Sequence, residues 1–449
     1  MGSGRSTRRR ILVACLAVCA LLPSVLATAQ IEEGRRRVWE PATGVTLTRI
    51  RYETPNQVRV LRVNTSLGAG LDIRVPGSAF PARAQTSAMG AAQKVAIASV
   101  NGDYERDPGV PVHPLLVDGE LWTSGIQKQA AVGWSADGTR AYAGPPVLQI
   151  QLHGPDGVPL FDIGKWNDTL VPWRVNGYSR RGGYPISPPG VPEPGPNDPL
   201  WCAARLVPAG DIGWSDAEQT GIARSFTVLT QPERCRAEPL GFGADPGAIV
   251  LAARAGSLAG EAVNALTPGQ TLSLRWSFVG WPGVTDVIGG AQQIVDDGQN
   301  VTASFDHEVH PRTSLGVSAG CSDADPATVC EFVVLTVDGR QRDWSLGMTL
   351  SRLAEEHLPQ GSWDAVNLDG GGSTTMWLRK RDPRFCRILP EVRGCLVNQP
   401  SDGRERFITT GITVIRQLDP ETPATLGGVA PAPTPSPTPS PTPSPPPTP

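Results

Sequence analysis

Residues 364–378 read DAVNLDGGGSTTMWL, and three consecutive glycines between two apolar runs restrict what the chain can build there more than any other feature does. The run 365–368 ends at Asp369. Gly370, Gly371 and Gly372 follow, then the hydroxyl residues Ser373, Thr374 and Thr375, and the apolar run resumes at Met376. This pattern is a strand, a tight turn and a second strand or helix start. Glycine loses more backbone freedom on folding than any other residue, so three in a row imply close backbone approach or positive φ. N–H groups from Gly370 to Ser373 turned into one concavity would form a nest for a phosphate or other anion, with Asp369 at its mouth. On these residues alone, a structural glycine turn capped by Asp369 is the alternative.

The N-terminus has the layout of a secretory signal peptide over residues 1–29. Arg5, Arg8, Arg9 and Arg10 precede an apolar stretch at 11–22, and Ala27 and Ala29 form an A-x-A site that predicts cleavage before Gln30. The stretch is too short for a membrane anchor, and no other segment is long or apolar enough to span a bilayer. The reading is therefore a secreted or extracytoplasmic protein of bacterial type. Export makes the remaining cysteines, Cys202, Cys235, Cys321, Cys330, Cys386 and Cys395, a disulfide set. Six cysteines allow 15 connectivities, and closeness in sequence favours Cys321 with Cys330, Cys386 with Cys395 and Cys202 with Cys235. No C-x-x-C motif or Cys/His cluster suggests zinc, and His113, His153, His307, His310 and His357 are scattered, so no metal site and no required cofactor are expected.

With 50 Gly and 45 Pro in 449 residues, the chain has many turns to make, and the fold class expected is α+β: one strand-rich domain over 37–418 with a mixed sheet and a few helices. A net charge of −3 gives no electrostatic footprint for nucleic acid, and the one basic run after the signal is Arg35 to Arg37. Residues 430–449 are a Pro/Thr/Ser repeat that reads as a disordered, extended spacer on the order of 60 Å long at roughly 3 Å per residue. The Pro-rich passage 185–199 reads as an inserted loop or linker.

Strand patterns occur at 59–64 and 70–75, and 94–100 (KVAIASV) is a buried strand running into Asn101, Gly102, Asp103 and Tyr104. Residues 310–318 and 331–337 form two arms of a hairpin that ends in the turn Asp338, Gly339, Arg340. Asp323 and Asp325, in its connecting loop, read as a solvated turn in preference to a calcium site. Residues 349–358 predict an amphipathic helix with Thr349 as N-cap and Gly361 as its stop, carrying His357 as a packed or surface histidine.

The segments NGDY (101–104), IGG (288–290), HPRTSLG (310–316) and VDGR (337–340), then an amphipathic helix and AVNLDGGGSTTM (365–376), in this order, resemble the phosphodiester glycosidase family. The likeness runs over 45–414, strongest in 94–150 and 245–414, with a variable middle at 150–245. The resemblance implies hydrolysis of a sugar joined through its anomeric carbon to a phosphodiester, with a phosphate-linked carbohydrate or cell-surface glycopolymer as substrate. Its alternative is a non-catalytic envelope or exopolysaccharide-binding protein on the same scaffold.

That chemistry needs a carboxylate near the anomeric carbon and charge neutralisation for the departing phosphate. Asp369 takes the first role, and Arg312 with the amides of Gly370, Gly371 and Gly372 the second. Asn101 binds a sugar hydroxyl or orients Asp369, with Thr313 and Ser373 in similar roles. Gly102, Asn367 and Thr374 complete the substrate-binding set. Asp338 and Arg340 are secondary candidates. So are Asp103, where relatives carry a small residue, and Glu105. The segments around Asn101, Gly289, Arg312 and Asp369 are expected to meet at one pocket.

Overall fold

A chain so rich in turn formers resolves into many short strands and few helices. The computed structural model describes residues 34–169, 171, 173–183, 201–209, 215–217, 221–230, 241–302, 307–322, 329–388 and 393–417. The expected signal peptide, the passage 185–199, Cys235, Asp323, Asp325 and the Pro-rich tail lie outside the described residues.

The main sheet has eight strands in the order Arg35–Ala42, Val45–Arg51, Gln57–Asn64, Glu331–Val337, Arg312–Ser318, Ser362–Asn367, Gln292–Asp296 and Gln299–Asn300, each antiparallel to its neighbours. The hairpin read from 310–318 and 331–337 is the pair Arg312–Ser318 and Glu331–Val337, in register from Arg312 opposite Val337 to Val317 opposite Phe332. One face of this sheet shares a core with two other sheets. Leu315, Val317, Phe332, Val334 and Leu368 pack with Ala98, Val100, Met376 and Val414 of a six-stranded sheet and with Val132, Trp134 and Ile288 of a five-stranded one. Each fully buried side chain of this size contributes roughly 1.5–3 kcal/mol.

The opposite face is covered by the helix Leu350–His357, whose Leu350, Leu353 and Ala354 pack with Val333, Leu335 and Val337. Its N-cap is Thr349, whose side chain accepts from Arg352 N at 3.1 Å, and Gly361 ends the following 3-10 turn at φ 81°. His357 is fully buried, held between Ser314 Oγ at 2.7 Å and Ser362 Oγ at 2.8 Å. Burial without a charged partner pushes its imidazole down to about 3, so it is a neutral packing residue. Gly316 makes room for it: a Cβ there would lie 2.8 Å from His357 Nδ1 and 2.5 Å from Ser362 Oγ.

The middle of the chain forms a barrel. Trp201–Pro208, Ile249–Arg254, Val175–Ser179, Pro159–Trp166, Val147–His153, Thr271–Val279 and Gly221–Thr230 pair in that order, and the last pairs back with the first. The pairing of Pro159–Trp166 with Val175–Ser179 is parallel, which makes this sheet mixed. Thr271–Val279 alternates buried and more exposed residues along its length, the period a barrel wall requires. Disulfides join Cys321 to Cys330 and Cys386 to Cys395, and Cys202 is disulfide-bonded as well.

Candidate active site

The strand Ser362–Asn367 brings the glycine turn to the end of the main sheet, and the strand Ala96–Asn101 of the neighbouring sheet brings Asn101 to meet it. Asn101 is fully buried and clips three segments together. Its Nδ2 donates to Asp369 O at 2.7 Å, while its Oδ1 accepts from Thr313 Oγ1 at 2.8 Å and from Thr375 N at 3.1 Å. The next peptide continues the splice, with Asp369 N donating to Gly102 O at 3.1 Å. A Cβ on Gly102 would sit 2.6 Å from Thr410 Oγ1, so the close approach needs glycine. Ala291 N donates to Asn367 O at 3.0 Å, and a Cβ on Gly290 would lie 2.5 Å from that oxygen, so the segments around Asn101, Gly289, Arg312 and Asp369 converge.

Asp369 itself is pushed up to about 6, first by burial and then by the nearby charges of Asp103 and Glu105. Hydrogen bonds from the Ser373 hydroxyl and the Gly370 N–H act the other way. Asp103 is tied to His113, with its Oδ2 accepting from His113 N at 2.9 Å and its Oδ1 2.5 Å from His113 Nδ1. Burial alone would depress His113, but the bond and charge of Asp103 raise it above the usual imidazole value. Glu105 is held by Arg83 Nε at 2.7 Å and Thr409 Oγ1 at 2.6 Å. Of these three carboxylates, Asp369 is the one whose named bonds come from neutral donors.

Tyr104 and Asn367 line the same corner. Asn367 Nδ2 donates to Tyr104 Oη and to Gln292 Oε1, both at 2.9 Å. Burial, followed by the charge of Asp369, pushes the Tyr104 phenol up to about 12, and the charge of Arg312 acts on it as well. Tyr104 thus lies in the field of both Asp369 and Arg312. The ladder agrees, because Leu368 N donates to Thr313 O at 2.9 Å and Gly371 N to Pro311 O at 2.9 Å, which brackets Arg312 beside Asp369.

One expectation needs correction. The amides from Gly370 to Ser373 do not form an open nest: Gly370 N–H serves Asp369, Gly371 N–H serves Pro311 O, and Ser373 N–H serves Gly370 O at 3.2 Å. Arg312 Nε donates to Met348 O at 3.0 Å and its Nη2 to Glu308 O at 2.8 Å, contacts that brace the segments flanking the site. Two exposed guanidinium groups flank the glycine turn: Arg340, whose backbone has φ 58° and whose Nη1 would lie 3.1 Å from a Cβ on Gly371, and Arg406, beside Gly372 and paired with Asp402 at 2.6 Å. Asp338 is buried in an ion pair with Arg59 at 3.3 Å and accepts from Trp344 Nε1 and Gln399 N, a set of contacts that holds the turn together. Thr313 and Thr374 are buried, Thr313 against Asn101, and Ser373 faces Asp369.

Tyr104 and His113 are absent from the sequence-derived site. The aromatic residue closing NGDY was the available signal for Tyr104, and nothing local marks His113. Asp296, Asp297 and Asp364 form an acidic group elsewhere on the main sheet, empty of any second feature that would mark a ligand.

Residues 222–415 match the family model described as phosphodiester glycosidase, a span that holds Arg312, Asp338, Arg340 and Asp369. A crystal structure of a hypothetical protein from Synechocystis aligns with a TM-score of 0.59 at 15% identity, over 85% of this chain and 64% of its own. A putative exported protein from Burkholderia pseudomallei aligns with a TM-score of 0.52 at 21% identity, over 81% of this chain and 75% of its own. The catalytic domain of zebrafish N-acetylglucosamine-1-phosphodiester alpha-N-acetylglucosaminidase, auto-inhibited by its pro-peptide, aligns with a TM-score of 0.37 at 14% identity, over 87% of this chain and 85% of its own. This chain therefore spans about two-thirds of the length of the Synechocystis protein. No curated protein matches it.

Proposed function

We propose that this chain, with its phosphodiester glycosidase-like segment, hydrolyses the bond between a sugar's anomeric carbon and a phosphate. The observation that carries the reading is Asp369, a partly buried carboxyl raised to about 6 at the point where four segments converge. Heterolysis of the anomeric C–O bond leaves positive charge on the sugar ring, and a carboxylate beside it supplies a nucleophile, a base or electrostatic stabilisation. Asp369 takes that role, with its carbonyl fixed by Asn101 and its side chain aimed by Ser373 and Gly370. Tyr104, partly buried beside Asp369, is the group proposed to meet a sugar hydroxyl, with the buried Asn367 holding its phenol in position.

A phosphodiester oxygen leaves as an already stabilised anion, so neutralising it matters more than protonating it. Arg340 at the turn of Gly371 suits that contact, and Arg312 adds field from behind while bracing the 308 and 348 segments. We further read residues 37–418 as one domain of a secreted protein, with the signal peptide and Pro-rich tail outside it. The test is cleavage of a phosphate-linked sugar by the purified protein compared with Asp369→Asn. Loss of turnover in the variant supports the reading, and binding without cleavage by the parent favours the non-catalytic alternative.

A further inference from the structure

The basic run Arg35 to Arg37 has no part in the site described above. It opens the outermost strand of the main sheet, Arg35–Ala42, and antiparallel pairing sets Arg35 opposite Arg51 and Arg37 opposite Arg49. Side chains alternate faces along a strand, so these four arginines share one face, and Arg36 goes to the other. Their spacing is a grid of about 7 Å along the strands by about 5 Å across them. Like charges placed directly opposite each other destabilise a sheet. Here the arrangement stands uncompensated: among the described residues, none of the four side chains is in an ion pair. Arg35, Arg37 and Arg51 are exposed. Burial, then the charges of Arg59, Arg37 and Arg51, lower the Arg49 guanidinium below its usual value, as expected where cations crowd. The chain as a whole carries −3, so the cluster is local and does not reflect general basicity.

We infer that Arg35, Arg37, Arg49 and Arg51 form a docking surface for an acidic glycan chain that runs on from the site at Asp369. The grid lies at the same end of the sheet as Asp369, since Asp338 N at the end of the adjoining strand donates to Gln57 O, the residue opposite Arg51. Four or five strand spacings, roughly 19 to 24 Å, separate it from the glycine turn, a distance that several linked sugars cover. Charge complementarity selects a polyanion. Trp39, partly buried, adjoins the grid on the same face and stands 5.5 Å from the buried Phe385, over which Arg49 lies at 5.7 Å. Sugar rings pack their C–H faces on such surfaces. A membrane would need apolar side chains beside the cations, yet exposed Val38 projects from the opposite face. The preference for a glycan over a nucleic acid rests on the glycosidase reading.

The test measures binding of the full chain to polygalacturonate at low ionic strength, against neutral dextran, a short duplex DNA and phosphatidylglycerol vesicles. The variant is Arg35→Gln/Arg37→Gln/Arg51→Gln, which spares Arg49 because its Nη1 donates to Arg384 O at 2.9 Å. We expect polygalacturonate to bind in preference to the other probes, the triple variant to lose about tenfold or more in affinity, and salt near 0.1 M to weaken binding as exposed charges are screened. Arg37→Glu alone gives the same readout should the triple variant fold poorly. Unchanged affinity in the variants, no binding of polygalacturonate, or tighter binding of the DNA or the vesicles overturns the inference. Repeating the measurement in an Asp369→Asn background separates the two readings, because binding that survives there without turnover in the parent protein sinks the hydrolase and leaves the docking surface standing.

Discussion

At the scale of single residues, Asp369 and Arg340, the two charges proposed to act on the substrate, should differ in kind. Asp369→Asn keeps the shape of the side chain and removes its charge, so kcat should fall about a thousandfold or more while KM moves little. Arg340→Ala removes a charge-assisted contact worth roughly 1.5–3 kcal/mol and should raise KM as well as lower kcat/KM. Near-normal turnover by Asp369→Asn would return that residue to the role of a turn cap. Asp369 also carries a stability signature. It titrates near 6 in the fold and near 4 in an unfolded chain, so the folded state binds the extra proton between these values. Its contribution is therefore fully present below about pH 4 and is lost as pH rises through about 6, at a cost of about 3 kcal/mol above that. Asp369→Asn should melt several degrees higher than the parent at pH 7.5 and at the same temperature at pH 3.5, with catalysis gone at both. A variant that melts lower at pH 7.5 would mean the carboxylate is stabilising where it sits.

At the scale of elements, the three glycines of the turn should not tolerate alanine equally. A Cβ on Gly370 meets the backbone oxygen of Pro311 at 2.7 Å, and Gly371 has φ 61° beside Arg340. A Cβ on Gly372 meets the side-chain ends of Arg406 and Asp402, at 2.3 and 2.4 Å, which can swing outward. Gly370→Ala and Gly371→Ala should each cost about 1–3 kcal/mol and most of the activity, and Gly372→Ala should be mild, which melting curves and turnover would check together. Equal tolerance at all three would mean the turn is looser than its contacts imply. These elements were largely legible in the sequence, because DGGGST between two apolar runs, the hairpin arms at 310–318 and 331–337, and the capped helix at Thr349 are all local patterns. The barrel was not anticipated, although the alternation in Thr271–Val279 is plain, because closure depends on pairing Trp201–Pro208 with Gly221–Thr230 and not on any single strand. The meeting of Asn101 with Asp369, 268 residues apart in sequence, was read from motifs that each end an apolar run, whereas the facing of His113 to Asp103 arises from the fold alone. The contacts of Arg312 with Met348 O and Glu308 O also depend on the fold, because sequence shows a fork and not the carbonyls it meets.

At the scale of the molecule, three sheets share one core and the disulfides close loops at its margin. The bridge between Cys321 and Cys330 spans 9 residues, and its removal should cost about 2 to 3 kcal/mol by freeing the unfolded chain. Melting of Cys321→Ala/Cys330→Ala against the parent would measure this, and no change would place the stabilisation elsewhere. The outer strand Arg35–Ala42 has a further consequence for how copies of this protein meet. Among the described residues its outer backbone edge has no partner strand in the main sheet, the kind of edge along which chains zip into aggregates. Any two copies aligning there would bring both sets of arginines together, and their repulsion keeps the edge closed to self-association. A polyanion lying over the same row cancels that repulsion, so the ligand that holds the protein in place would also permit it to assemble edge to edge, and solutions dispersed alone would thicken along the polymer.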